Sequence, residues 1–191
     1  MLLEQIHERP RIRTTYRRIL CDPALAPVEY ASIRSLMIGP KPTSQERRVR
    51  RQNRLRELLD RYHAKACLEV QEDHNLAPLA GRSVLAQRLA GVTTYTGIIT
   101  KLAVGTGATT PTEGDTALTT ELYRQDVSDG MFVNNVAYLA CFIAQGDGTG
   151  TLSEAGLFID GSEMISHVLL SPPQVKGALN SLSFEITIEI L

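Results

Sequence analysis

Residues 183–191 read SFEITIEIL. Phe184, Ile186, Ile188 and Ile190 alternate with Glu185, Thr187 and Glu189, the two-residue period of a strand with one face in a core and the other in water. Upstream, short strand-like runs recur between Gly, Asp, Asn and Pro: Thr96–Val104, Leu118–Asp129, Phe132–Ala144, Thr151–Ile159 and Glu163–Leu170. Ser128-Asp129-Gly130 and Asp160-Gly161 are Asp-Gly hairpin signals between such runs, Gln145–Gly150 is a polar, Gly-rich connection, and Pro172-Pro173 interrupts before the last strand. Six short strands with no long helix between them predict an antiparallel β-sandwich over residues 96–191, with the terminal strand integral to it.

The first third reads differently. Pro10, Pro23, Pro27, Pro40 and Pro42 limit any helix before residue 43 to short pieces, expected at 11–20 and 28–37. Thr43-Ser44-Gln45-Glu46 has the capping-box pattern, and from there to Ala66 the residues Val49, Leu55, Leu58, Leu59, Tyr62 and Ala66 form one apolar stripe at helical spacing. Arginines 47, 48, 50, 51, 54, 56 and 61 cover the other faces. The predicted class is therefore α+β: an N-terminal helical arm (1–66), a linker with a short helix near 82–90 (67–95), and the antiparallel β-domain (96–191).

Charge divides at the same boundary. Of the 191 residues, 1–65 carry 15 Lys/Arg against 7 Asp/Glu, and 66–191 carry 5 against 14, although the whole chain has a net charge of −1. Two segments of opposite sign suit different surroundings, contact with each other, or contact between copies. The absence of tryptophan and the 5% aromatic content make the core largely aliphatic. Cys21, Cys67 and Cys141 are odd in number and widely spaced, unlike a metal knuckle or a disulfide scaffold. The opening MLLEQIHERPRIR lacks the apolar centre of a signal peptide, and no run has the length of a membrane span.

Residues 98–124 read IITKLAVGTGATTPTEGDTALTTELYR: a strand ending in Gly105-x-Gly107, a Thr/Pro-rich loop, Asp115-Thr-x-Leu118, then Glu121-x-x-Arg124. Two further blocks follow, Leu152-Ser153-Glu154-Ala155-Gly156-Leu157-Phe158 and Pro172-Pro173-Gln174-Val175-Lys176 before the alternating terminal strand. In this order and spacing they resemble a module of tailed-bacteriophage virion proteins found in tail-fibre, baseplate and collar components, and the resemblance covers residues 98–191. It implies a structural role in a multimer. No fibrous extension follows the module, which favours a collar, neck or baseplate element over a receptor-binding fibre. In physical terms Gly105 and Gly107 permit a sharp turn, and Asp115 and Thr116 are placed to cap local backbone groups. Glu121 and Arg124 share a face only if that segment is helical.

Signals for catalysis are weak. Gly105-Thr106-Gly107 lacks the Lys-Ser/Thr of a phosphate loop, no Gly-x-Ser-x-Gly elbow occurs, and His7, His63, His74 and His167 are dispersed, His63 and His167 reading as surface or packing residues. Asp126 with Asp129 is a chance carboxylate pair, and Asp147-Gly148-Thr149-Gly150 has too few oxygens for a calcium loop. The expectation is a non-enzyme without cofactor or metal, assembled in the host cytoplasm into a virion. Its partners would be its own copies and other virion proteins, with no membrane or small-molecule substrate. Arg47, Arg48, Arg50, Arg51, Arg54, Leu55, Leu58, Leu59 and Tyr62 form the expected assembly interface. Six arginines within residues 47–56 make nucleic acid the alternative partner.

Overall fold

In the computed structural model, which describes residues 12–75, 77–128 and 130–191, nine strands and three helices form two stacked antiparallel sheets, with two of the helices on one outer face and the third packed against a strand of the other sheet. The chain runs β1 (Ile12–Cys21), a 3-10 turn (Pro23–Leu25), α1 (Pro27–Ile38), α2 (Gln45–Ala66), β2 (Cys67–His74), α3 (Leu79–Leu89), β3 (Ile99–Gly105) and β4 (Glu121–Asp126). It continues through β5 (Met131–Val133), β6 (Val136–Ile143), β7 (Gly150–Ile159), β8 (Glu163–Lys176) and β9 (Ser181–Ile190). Sheet A has the order β2-β1-β9-β6-β5 and sheet B the order β4-β3-β7-β8.

The terminal alternation decides the core. Leu182, Phe184, Ile186 and Ile188 point from β9 into the space between the sheets, meeting Leu102 and Val104 of β3 and Ala155, Leu157 and Ile159 of β7. β9 is central in sheet A, bonded to β1 on one side and β6 on the other. Asp160 and Gly161, both with positive φ, make the expected tight β7–β8 turn.

Several expectations are corrected. Residues 12–20, expected to be helical within 11–20, form β1 together with Cys21; residue 11, Pro10 and His7 lie outside the described residues. Tyr16, Arg18 and Leu20 share the inward face of this strand, so a charge stands where the alternation calls for an apolar residue. Arg18 is nonetheless inside, fully buried, its Nε donating to Asp73 Oδ2 at 2.6 Å and its Nη2 to the Pro172 carbonyl at 3.2 Å. Asp73 lies on β2, so the stretch read as a linker supplies a strand as well as α3. Residues 127 and 128 do not enter a hairpin: Val127 N–H bonds to Thr100 in sheet B and Ser128 N–H to Ala140 in sheet A, passing the chain between sheets. Asp129 lies outside the described residues. The hairpin comes later, at Asn134-Asn135 between β5 and β6. Pro172 and Pro173 do not end β8, which bulges there and pairs again with β7 through Gln174; as β8 is an edge strand, the missing N–H groups leave no ladder bond unmade.

The α1 and α2 helices are a layer of the sandwich and not a separate arm. The Leu55, Leu58, Leu59, Tyr62 and Ala66 stripe of α2 packs with Ile33 of α1 onto Ile19, Cys21, Ala140 and Phe142 on the outer face of sheet A. Tyr62 and Ser181 hydroxyls meet at 2.7 Å and His63 Nε2 lies 3.0 Å from Ser183 Oγ, tying α2 to β9. Burying each large apolar side chain is worth roughly 1.5–3 kcal/mol, so the stripe holds the layer down. The capping box does not form: Ser44 is the N-cap with no side-chain cap bond, and Glu46 pairs instead with Arg50 one turn on.

Candidate functional site

Five of the signature residues, Gly105, Gly107, Asp115, Glu154 and Gly156, are spread over 52 positions of sequence yet meet on the outer face of sheet B. Glu154, Gly156 and Phe158 alternate outward from β7, and His167 is the register partner of Gly156 on β8. The long connection 106–120 lies over them, with Leu118 packed against Ala103, Phe158 and Met164. Glu154 has no exposed surface. Its Oε1 accepts the N–H groups of Gly107 (3.0 Å) and Thr120 (2.7 Å); its Oε2 accepts Thr119 N–H (3.0 Å) and lies 3.1 Å from His167 Nε2. The other ring nitrogen, Nδ1, is 2.6 Å from Asp115 Oδ2, and Asp115 also accepts the N–H (2.8 Å) and hydroxyl (2.6 Å) of Thr112.

This cage pins both ends of the loop to the sheet. Burial pushes the Glu154 carboxyl up, but the N–H groups of Thr120 and Thr119, His167 and Gly107 outweigh it and hold it below the ordinary carboxylate range. Asp115 is likewise lowered: burial acts upward, and Thr112 and His167 more than reverse it. The local cap expected of Asp115 is present, with His167 as an added partner.

The glycines are required for a different reason from the expected one. Neither Gly105 nor Gly107 has a positive φ; both lie too close to Glu154 for a side chain. A methyl group on Gly105 would sit 2.5 Å from Glu154 Oε1, and one on Gly107 would sit 2.8 Å from Glu154 Cδ and 2.6 Å from Thr119 Cβ. At Gly156 it would press on Leu118 at 3.1 Å. Glu121 and Arg124 also depart from the simple strand rule. They belong to β4, yet Arg124 Nε and Nη2 donate to the two Glu121 oxygens at 2.8 and 2.6 Å. The register slips between Tyr123 and Glu121, and this bulge returns Glu121 to the face of Arg124. Arg124 stacks over the Phe158 ring at 3.8 Å and donates to the Gly161 carbonyl at 2.6 Å.

The expected interface on α2 separates into three parts. Leu55, Leu58, Leu59 and Tyr62 are buried inside their own chain, Leu58 and Leu59 only 6% and 4% exposed, so they cannot meet a partner without unpacking the layer. Arg48 and Arg51 lie toward α1, where they bond carbonyls: Arg48 Nε to Pro42 at 2.9 Å, and Arg51 to Gly39 at 3.1 Å, Pro40 at 3.2 Å and Leu36. Arg47, Arg50, Arg54 and Arg61 are exposed at three-, four- and seven-residue steps and form a mainly cationic stripe, interrupted by Glu57 and with Arg50 paired to Glu46.

Sequence reasoning missed His167, Arg18 and Asp73. A histidine or arginine in an inner or covered strand position carries no local mark of its partner. The cleft between α2 and sheet A has the Arg17–Glu185 ion pair (2.7 Å) among its lining, beside Leu55, Leu59 and Tyr138. Among the described residues no group of three or more His, Cys, Asp or Glu is arranged to hold a metal ion, and no helix is long and apolar enough to cross a membrane. No known protein family matches the chain, and no curated protein or solved structure is significantly similar to it.

Proposed function

We propose that the chain is a structural subunit of a tailed-phage virion, a collar, neck, baseplate or tail component that assembles through its β-sandwich and docks through the cationic face of α2. The observation that carries this reading is the convergence of the phage-like signature on Glu154. A catalytic acid needs an oxygen within reach of substrate; both oxygens of Glu154 are taken by three N–H groups and an imidazole. The signature thus holds a 15-residue surface loop in one shape, which suits a module that presents a rigid surface to neighbours.

The exposed stripe of Arg47, Arg50, Arg54 and Arg61 suits an acidic protein surface, and residues 66–191, with 5 Lys/Arg against 14 Asp/Glu, supply one on every copy. Electron microscopy of the purified protein, alone and mixed with phage assembly intermediates, tests the reading. Rings, stacked arrays or incorporation into particles are expected. A protein that stays monomeric at high concentration and joins no particle refutes it. Binding to duplex DNA at two salt concentrations separates the two partners of the stripe: salt-sensitive binding that is lost when Arg47, Arg50 and Arg54 become Ala moves α2 to a nucleic-acid role.

A further inference from the structure

Cys21 ends β1 and Cys67 begins β2, and the two are direct partners in the antiparallel register, at the point where it shifts between Leu20 and Cys21. One residue further along, Asp22 N–H donates to the Ala66 carbonyl at 2.9 Å, so the two backbones are in hydrogen-bond contact there. Antiparallel partners have Cα atoms about 4.5–5.5 Å apart, inside the roughly 4.4–6.8 Å that a disulfide spans. Both cysteines are free thiols. Cys21 is buried beneath the end of α2 with Ala26, Tyr62 and Ala66, whereas Cys67 is exposed. Burial pushes the Cys21 thiol up to about 12, and the neighbouring Cys67 thiol adds to the rise. Their present partners are weak: Cys21 Sγ lies 4.0 Å from the Ile19 carbonyl and Cys67 Sγ 3.7 Å from that of Glu69. Cys141 is in a different environment, buried in the core between the sheets.

We propose that Cys21 and Cys67 are a modification site, a thiol pair that closes to an intramolecular disulfide on meeting a low-molecular-weight disulfide such as oxidised glutathione. The exposed Cys67 thiolate attacks one glutathione sulfur, forming a mixed disulfide and releasing one glutathione thiolate. Cys21 then gives its proton to solvent and attacks the Cys67 sulfur, expelling the second glutathione. The protein loses two electrons and two protons, and one oxidised glutathione becomes two reduced ones. The second step is the slow one, because few Cys21 thiols are ionised near neutrality, and it accelerates with rising pH. The closed ring contains α1 and α2, so the bond fastens the helical layer to sheet A. A subunit made in a reducing compartment would gain this fastening once it reached an oxidising one. The inference stands whether or not the chain is a virion subunit.

The test is thiol counting in denaturant after incubating the folded protein with oxidised glutathione, with peptide mapping by mass spectrometry. The count should fall from three per chain to one, with a Cys21–Cys67 crosslink, monomer mobility on non-reducing gels, and a higher melting temperature that dithiothreitol reverses. Cys141→Ser should still close, going from two thiols to none. Cys67→Ser, a change at an exposed position that leaves the fold intact, should keep both of its thiols. Three remaining thiols, a glutathione retained on Cys67, or a crosslink between chains would each overturn the proposal.

Discussion

Replacing Glu154 by Ala removes the acceptor of three backbone N–H groups, at 2.7, 3.0 and 3.0 Å, and the partner of His167 at 3.1 Å. Hydrogen bonds to charged groups are worth about 1.5–3 kcal/mol each, but these four share one carboxylate and water can enter the space it leaves. Breaking a buried charge network by removing one member typically costs about 3–5 kcal/mol, so about 4 kcal/mol is expected. At roughly 2–4 °C per kcal/mol for a domain of this size, the melting temperature should fall by about 8–16 °C. Circular dichroism melts measure the fall, and amide hydrogen exchange should show Gly107, Thr119 and Thr120 losing protection before the rest of sheet B. Gly107→Ala should destabilise in the wild type by driving a methyl group against the Glu154 carboxyl, and should cost clearly less in the Glu154→Ala background. A fall of under about 2 °C with the three amides still protected, or strict additivity of the two changes, would refute the cage as the device that holds the loop.

Other outcomes follow from the same geometry. Glu154 and Asp115 sit below their ordinary values when folded, so their contribution is in place above about pH 4 and is lost as pH falls through the folded values. Thermal melts between pH 7 and 2.5 should steepen below about pH 4, and Glu154→Gln should flatten that dependence. Asp73→Ala, which strands the buried Arg18 charge, should cost about 3–5 kcal/mol by urea denaturation, while Arg18→Met with Asp73→Leu should recover most of it. Leu58→Asp with Leu59→Asp puts two carboxylates against sheet A and should release α2, seen as rapid proteolysis between residues 45 and 66; a protease-resistant double variant would show that the stripe does not hold the layer. Deleting residues 181–191 removes the central strand of sheet A and should leave no cooperative melting transition.

How much was legible in the sequence follows the range of the interaction concerned. β9 could be read from its alternation, the β7–β8 turn from Asp160-Gly161, and α2 from its stripe, because each signal is written within a dozen or so residues. The signature positions Gly105, Gly107, Asp115, Glu154 and Gly156 stood out as a pattern, but their common purpose did not. The carboxylate that crowds Gly105 and Gly107 lies 47 residues beyond Gly107, and the imidazole joining Glu154 to Asp115 lies 52 beyond the latter. The reading of 11–20 as helix failed for a related reason. Arg18 occupies an inward position that an apolar residue would normally mark, and only its partner Asp73, 55 residues away, makes burial tolerable.

The same division holds for the α2 stripe. Periodicity established that Leu55, Leu58, Leu59 and Tyr62 share one face that must be covered, but a period contains no information on what covers it. That was decided when β1, β6 and β9 assembled a sheet whose outer face carries Ile19, Ala140 and Phe142, turning an expected docking stripe into the interior of its own chain. By itself, then, the sequence determined which faces of its local elements are apolar and where the chain turns. The tertiary structure decided which distant segment meets each face and each buried charge, because burial free energy depends on that partner and not on the spacing that created the face.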